Sequence, residues 1–182
     1  MDAKKDTVML LAWDLWGHVV IATLLTIPAG WGVAHLLTRL RERSNHPEPA
    51  RTAYADVFIV IGTAPWLWMI LTPGDPSAPD RAVGLVPFHD LAQVVTGPAG
   101  TAFVQVGGNL LVFAALGALL PLRSQKLARL KIVAAVAAAG SLTVELLQYG
   151  LELHRVSSVD DILLNTTGAV LAAVMTQRWW AG

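Results

Sequence analysis

Apolar residues fill five long stretches of the chain, about 8–37, 54–71, 104–122, 130–149 and 161–179, and polar or helix-breaking residues collect between them. A helix needs roughly 20 predominantly apolar residues to cross a hydrocarbon core, so the pattern predicts five transmembrane helices. The first stretch is longer than a crossing requires, which implies tilt or an interfacial start, and Pro28 is a candidate kink. Between the second and third spans, the segment 73–101 is rich in proline and glycine. It is expected to fold as a lid over one end of the bundle, with a short interfacial helix within 83–95. The chain has no internal repeat or low-complexity tract, so 1–182 reads as a single all-α polytopic membrane domain.

Composition agrees with the pattern: 54% of residues are hydrophobic and 14% charged, too apolar a balance for an ordinary soluble domain. The formal net charge of zero leaves no electrostatic footprint for nucleic acid. With no cysteine, disulfides, thiolate catalysis and cysteine-based metal sites are excluded.

Lysine and arginine set the expected orientation, because short loops rich in them stay in the cytoplasm. Arg39, Arg41, Arg43 and Arg51 surround the first loop, Arg123, Lys126, Arg129 and Lys131 the third, and Arg178 the end of the last span. Those positions are predicted inside, with the N-terminus outside and the C-terminus cytoplasmic. Lys4 and Lys5 run against this assignment. Together with the apolar stretch that follows they resemble a signal peptide, but the stretch is too long and ends in an arginine-rich flank, so a retained span is expected. Trp13, Trp16, Trp66 and Trp68 at outer ends, and Trp179 and Trp180 at an inner end, fit interfacial belts. The predicted location is the cell membrane, crossed several times.

The polar residues inside this apolar chain then gather near the outer face. Glu145 and Gln148 are three apart, and Asp161 and Asn165, Gln105 and Asn109, and Asp14 and His18 are each four apart, so each pair shares a helix face. A charge in hydrocarbon costs roughly 2.5–3.5 kcal/mol on insertion scales, so a cluster of this kind needs partners or a purpose. Pro87-Phe88-His89-Asp90 falls in the outer loop, and five segments are positioned to converge on one pocket.

The ordered set Asn109-x-x-x-Phe113-x-x-x-Gly117, Glu145-x-x-Gln148, Arg155 and Asp160-Asp161-x-x-x-Asn165-x-x-Gly168 resembles the motifs of the VanZ-like family in order and spacing, and Pro87-Phe88 resembles a further short one. The resemblance covers about 82–176. Three positions depart from the family pattern. Ala115 stands where a proline is common, which is expected to straighten the third helix. Ser158 stands where an additional acid is common, and Ala172 replaces a frequent glycine while keeping a small residue for helix contact. The resemblance implies a bacterial polytopic membrane protein of the cell envelope, from a family whose named member is associated with low-level resistance to lipoglycopeptides of the teicoplanin type. It names no reaction.

Read from the residues, Glu145 and Asp161 are candidates for acid–base chemistry, with His89 as a complementary group. Arg155 is the expected partner of Glu145 and a candidate to bind phosphate or carboxylate. Gln148, Asn165, Asn109 and Asp160 complete a candidate binding set. The competing account is an interhelical network of the same groups that fixes packing, and for Asp160 a place at the positive end of a helix capped by Ser157 or Ser158. Gly107-Gly108 reads as close packing, since no P-loop lysine follows, and no serine has the context of a nucleophile. No cofactor is expected. Glu145, Asp160, Asp161, His89 and His154 are hard-ligand types that could serve magnesium or calcium, but no spacing supports zinc.

Two functions follow. One is an outward-facing membrane enzyme acting on a lipid-linked envelope intermediate or an amphiphilic compound. The other is a non-catalytic module that binds a lipid-linked cell-wall precursor, an amphiphilic glycopeptide or a partner protein. Membrane lipid is a partner in both, and a transporter has little support without inverted repeats. Because the native chain has no cysteine, the topology can be tested directly. A cysteine introduced by Asn45→Cys is expected to react with an impermeant maleimide only after cells are permeabilised; labelling of intact cells would reverse the orientation.

Overall fold

Two glycines on facing helices set the packing of this molecule, because they let a central helix approach its neighbours backbone to backbone. The computed structural model describes residues 2–74 and 82–181; residues 75–81 of the 73–101 loop, including Arg81, lie outside them. Helix α1 (Asp2–Arg43) is followed by α2 (Pro49–Leu71), a short strand β1 (Ala82–Gly84), and helices α3 (His89–Thr96), α4 (Ala99–Val112) and α5 (Ala114–Leu119). Then come α6 (Leu130–Gly150), strand β2 (Val156–Ser158) and α7 (Val159–Met175). Among the described residues, four stretches are long and apolar enough to cross a membrane: Trp13–Arg43, Pro49–Leu71, Ala99–Arg123 and Leu130–Gly150. The all-α membrane bundle read from the hydropathy pattern is therefore the architecture observed.

Helix α7, the fifth apolar stretch, is 17 residues long, ends at Met175 and continues as a 3-10 turn over Gln177–Trp179. It is the post of the bundle and packs against α4, α5 and α6. A Cβ at Gly168 would land on the carbonyl oxygen of Leu110, and one at Gly117 on that of Ala169, so small residues are obligatory where these backbones meet. The Thr176 hydroxyl donates to the Ala118 carbonyl at 3.1 Å and continues the seam toward the far end. The buried core around it is built of small and medium side chains, among them Val112, Val133, Ala137, Ala169 and Ala173, with Phe113 against Gly140. Large apolar side chains such as Leu25, Trp68, Leu146 and Met175 face outward, as the lipid-facing surface of a membrane bundle requires.

Two local features differ from the sequence expectation. Helix α1 runs through Pro28 without interruption, as neighbouring groups in membrane helices compensate for the missing N–H. The third stretch is not straightened by Ala115: helix geometry breaks at Phe113 and resumes as α5, followed by a 3-10 turn at Leu120–Arg123. The break lies between the two close approaches to α7, at Leu110 and Gly117, and Ala115 itself fits against Gly62 of α2.

At the arginine-rich end, Asp56 of α2 pairs with Arg41 of α1 at 2.6 Å and also with Arg123, joining three segments. At the opposite end, β1 and β2 pair in parallel in the register Ala82↔Val156, Val83↔Ser157 and Gly84↔Ser158. That pairing, with the Gly74 N–H donating to the Leu153 carbonyl at 2.8 Å, lashes the lid to the segment entering α7. The short helix expected within 83–95 is present as α3.

Gly168→Ala is expected to destabilise the bundle by about 2–3 kcal/mol, the range for overpacking a tight contact. Leu171→Ala, on the outward face of the same helix and 52% exposed, should stay within about 0.5 kcal/mol. Thermal unfolding of the purified variants in detergent checks both; equal melting would show that the α4–α7 approach is not a tight one.

Candidate functional site

Because the apolar helices bury their polar residues at one end, that end encloses a cavity of about 760 Å³ beneath the lid. This size falls among ligand pockets, which span roughly 300–1,000 Å³. Asp14, Trp16 and His18 of α1 form one wall, and Trp68 and Met69 of α2 another. Gln105 and Asn109 come from α4, Gln148 from α6, and Arg155 and Ser158 from the segment before α7. Asp160 and Asp161 enter from the head of α7, while Asp90, Leu91 and Gln93 belong to the lid helix. The expected convergence of segments is thus present, with α2 and its Trp68 as an addition.

The lid is held by one carboxylate. Asp160, 3% exposed, accepts from the Phe88 N–H at 2.5 Å and the Leu91 N–H at 2.9 Å, and so caps α3 from another element. Phe88 sits at φ 66° to present its N–H, a left-handed conformation uncommon for a bulky residue. Ser158 caps α7 by accepting from the Asp160 N–H at 3.2 Å, and its hydroxyl donates to Asp90 at 2.6 Å. A Cβ at position 84 would meet that Asp90 carboxylate, so a larger residue there would have to displace the Asp90 side chain.

Asp161 faces the cavity and accepts from the Asn109 side-chain amide, tying α7 to α4. Arg155 does not pair with Glu145. Its guanidinium donates to the main-chain carbonyls of Thr72 at 3.0 Å and Met69 at 3.3 Å, at the C-terminal end of α2. Burial holds this arginine's pKa below the usual value, and the nearby Asp161 carboxylate opposes that shift.

Glu145 is 6% exposed and does not line the cavity. Its carboxylate accepts from the Ser158 N–H at 2.9 Å, and its own carbonyl accepts from the Ser157 hydroxyl at 3.0 Å, so it anchors β2 to α6. Asn165 is likewise internal, donating to Ser141 at 2.8 Å across the α6–α7 interface. His89 is exposed and shares a hydrogen bond with Gln93 at 2.9 Å, away from both Glu145 and Asp161. Of the candidate set, then, Asp161, Arg155, Gln148, Asn109 and Asp160 come together around the cavity, and Glu145, Asn165 and His89 do not.

Asp90 was missed because His89 drew the attention within the same four-residue motif. The available signal was its place in the first turn of a helix, where acids are favoured. Trp16 lies over Gly107 and Gly108, so the glycine pair serves close packing, and its ring also meets Trp66 with centroids 5.9 Å apart. Among the described residues, no three histidine, aspartate or glutamate side chains converge to hold a metal ion.

Comparison with known proteins adds one family. The VanZ/LLP1 family model matches residues 58–180, which takes in most of α2 and every element after it and leaves out α1. No curated protein and no solved structure matches the chain.

The Asp160 cap makes a local prediction. Asp160→Ala leaves two backbone donors without a partner and should cost about 2–3 kcal/mol. Hydrogen exchange should rise across 86–96 while α6 stays protected, and unchanged exchange in the lid would show that other contacts hold it.

Proposed function

The chain belongs to the VanZ/LLP1 family, and from that membership and the cavity we propose that it is a binding protein for an amphiphilic molecule of the cell envelope, held head group first under the lid. The observation that carries this reading is a cavity lined by charged and amide side chains at the end of an apolar bundle, the arrangement that suits a ligand with a polar head and an apolar tail. The positive-inside rule supports an extracytoplasmic cavity, since the arginine cluster around Arg41, Arg51 and Arg123 lies at the other end. The ligand classes that fit are a lipid-linked cell-wall precursor and a lipoglycopeptide of the teicoplanin type. Binding of the second would connect this chain to the resistance associated with its family.

Asp161 and Asn109 are the central polar contacts in this reading, and Arg155 holds the end of α2 against the site. A membrane enzyme remains the second reading, favoured by Asp161 and His18 lining the same cavity, where one could exchange a proton with a bound head group. Glu145 has no place in either chemistry, because its carboxylate is engaged by the Ser158 N–H behind the cavity wall.

Equilibrium binding of a lipid-linked cell-wall precursor and of a teicoplanin-type compound to protein in lipid nanodiscs tests the proposal. Asp161→Asn should weaken binding by about tenfold or more, as expected for loss of a charge-assisted contact of about 1.5–3 kcal/mol. Glu145→Gln should lower thermal stability and leave the dissociation constant unchanged. Absence of binding to the wild-type protein would overturn the proposal; binding followed by product formation that Asp161→Asn abolishes would replace it with the enzyme reading.

A further inference from the structure

We infer that the head group taken by this cavity carries a protonated amine; the inference rests on the binding reading above. The first ground is charge. Among the described residues, four carboxylates line the cavity, those of Asp14, Asp90, Asp160 and Asp161, against the guanidinium of Arg155. That guanidinium spends hydrogen bonds on the carbonyls of Met69 and Thr72 and is no free anchor for phosphate. A site with this balance, set at the end of an apolar bundle, repels an anionic head group and attracts a cation.

The second ground is independent and concerns hydrogen bonding. Gln148 is 6% exposed and lines the cavity. Its amide Nε2 donates to the Ile70 carbonyl at 2.9 Å, which fixes the side chain's orientation, and its Oε1 is buried without a hydrogen-bond partner. A buried acceptor without a donor costs about 1–3 kcal/mol, so a ligand that donates to it is favoured over one that only accepts. Asp161 accepts from Asn109 through Oδ1 and borders the same cavity. The wall therefore offers acceptors where a polar head group would sit.

The third ground separates an organic cation from a metal ion. No three acids or histidines among the described residues converge on one point, so the carboxylates are spread around the wall. An ammonium, with three N–H donors directed apart, can reach dispersed acceptors. Trp16 and Trp68, which line the same cavity, supply aromatic groups of the kind that attract ammonium groups.

Two sources present this chemistry at a membrane surface: a lipid with an ethanolamine head group and an amphiphile bearing an amino sugar. Four probes separate them, used with protein in nanodiscs of phosphatidylcholine and phosphatidylglycerol and with empty nanodiscs as the blank. They are short-chain phosphatidylethanolamine, its N-acetyl derivative, an octyl glycoside of glucosamine and its N-acetyl counterpart. The expected result is that the free-amine form of at least one pair binds about tenfold or more tightly than its acetylated twin, and the pair that does so identifies the source. Asp161→Asn and Gln148→Met should each erase the preference, and the comparison within the wild-type protein needs neither variant to fold. Equal binding of amine and acetyl forms would overturn this inference while leaving the binding reading intact. Failure of all four probes to bind, with the cell-wall precursor still bound, would overturn it as well; failure of every ligand would remove both.

Discussion

A buried carboxylate in a membrane bundle must find hydrogen-bond donors, and the way Asp160 finds them organises the polar end of this protein. Its donors are the backbone N–H groups of Phe88 and Leu91 rather than a basic side chain. Meeting that demand starts α3, holds Phe88 in the left-handed region and brings Asp90 onto Ser158. It also puts the Asp90 carboxylate against Gly84, where a larger residue would have to displace it. The lid and the head of α7 are consequently one unit, and the cavity exists because that unit spans the gap between α1, α4 and α6.

The neighbouring acids divide into scaffold and wall. Glu145 and Asn165 satisfy their polar groups within the bundle, on Ser158 and Ser141, and stabilise the relation of α6 to β2 and α7. Asp161 and Gln148 lie about one helical turn from these residues and border the open space instead. Charges in the scaffold need not mark chemistry: the Glu145 carboxylate closes the N–H of a residue where the chain turns from strand to helix, a place where an unpaired donor would be costly. The same economy appears at Arg155, whose donors complete the last carbonyls of α2.

Much of the architecture could be read from hydropathy, since a span needs only length and apolarity to declare itself, and the apolar stretches fall on helices of an all-α bundle. The i, i+3 and i, i+4 pairs likewise located the polar end, and Asn109, Gln148, Arg155 and Asp161 do border one cavity. Helical spacing gives direction but not depth, however. Glu145 and Gln148 share a face, yet one turn of axial rise separates a residue behind the wall from one in it. The parallel pairing of 82–84 with 156–158 joins three-residue segments more than 70 positions apart, too short to leave a periodic signal. The break at Phe113 was equally hidden, because its cause is the fit of α4 and α5 around Gly168 and Gly117 rather than any local breaker.

Helix α1 supplies Asp14, Trp16 and His18 to the cavity, and it lies before the stretch, 58–180, that carries the family's signature. The lid and the cavity residues from α4, α6 and α7 fall inside the matched stretch, whereas the α1 flank falls outside it. Sharing the signature motifs cannot by itself imply sharing a ligand: a relative with a different first helix would have the same lid hinged to the same carboxylate, closing over a differently shaped and differently charged chamber.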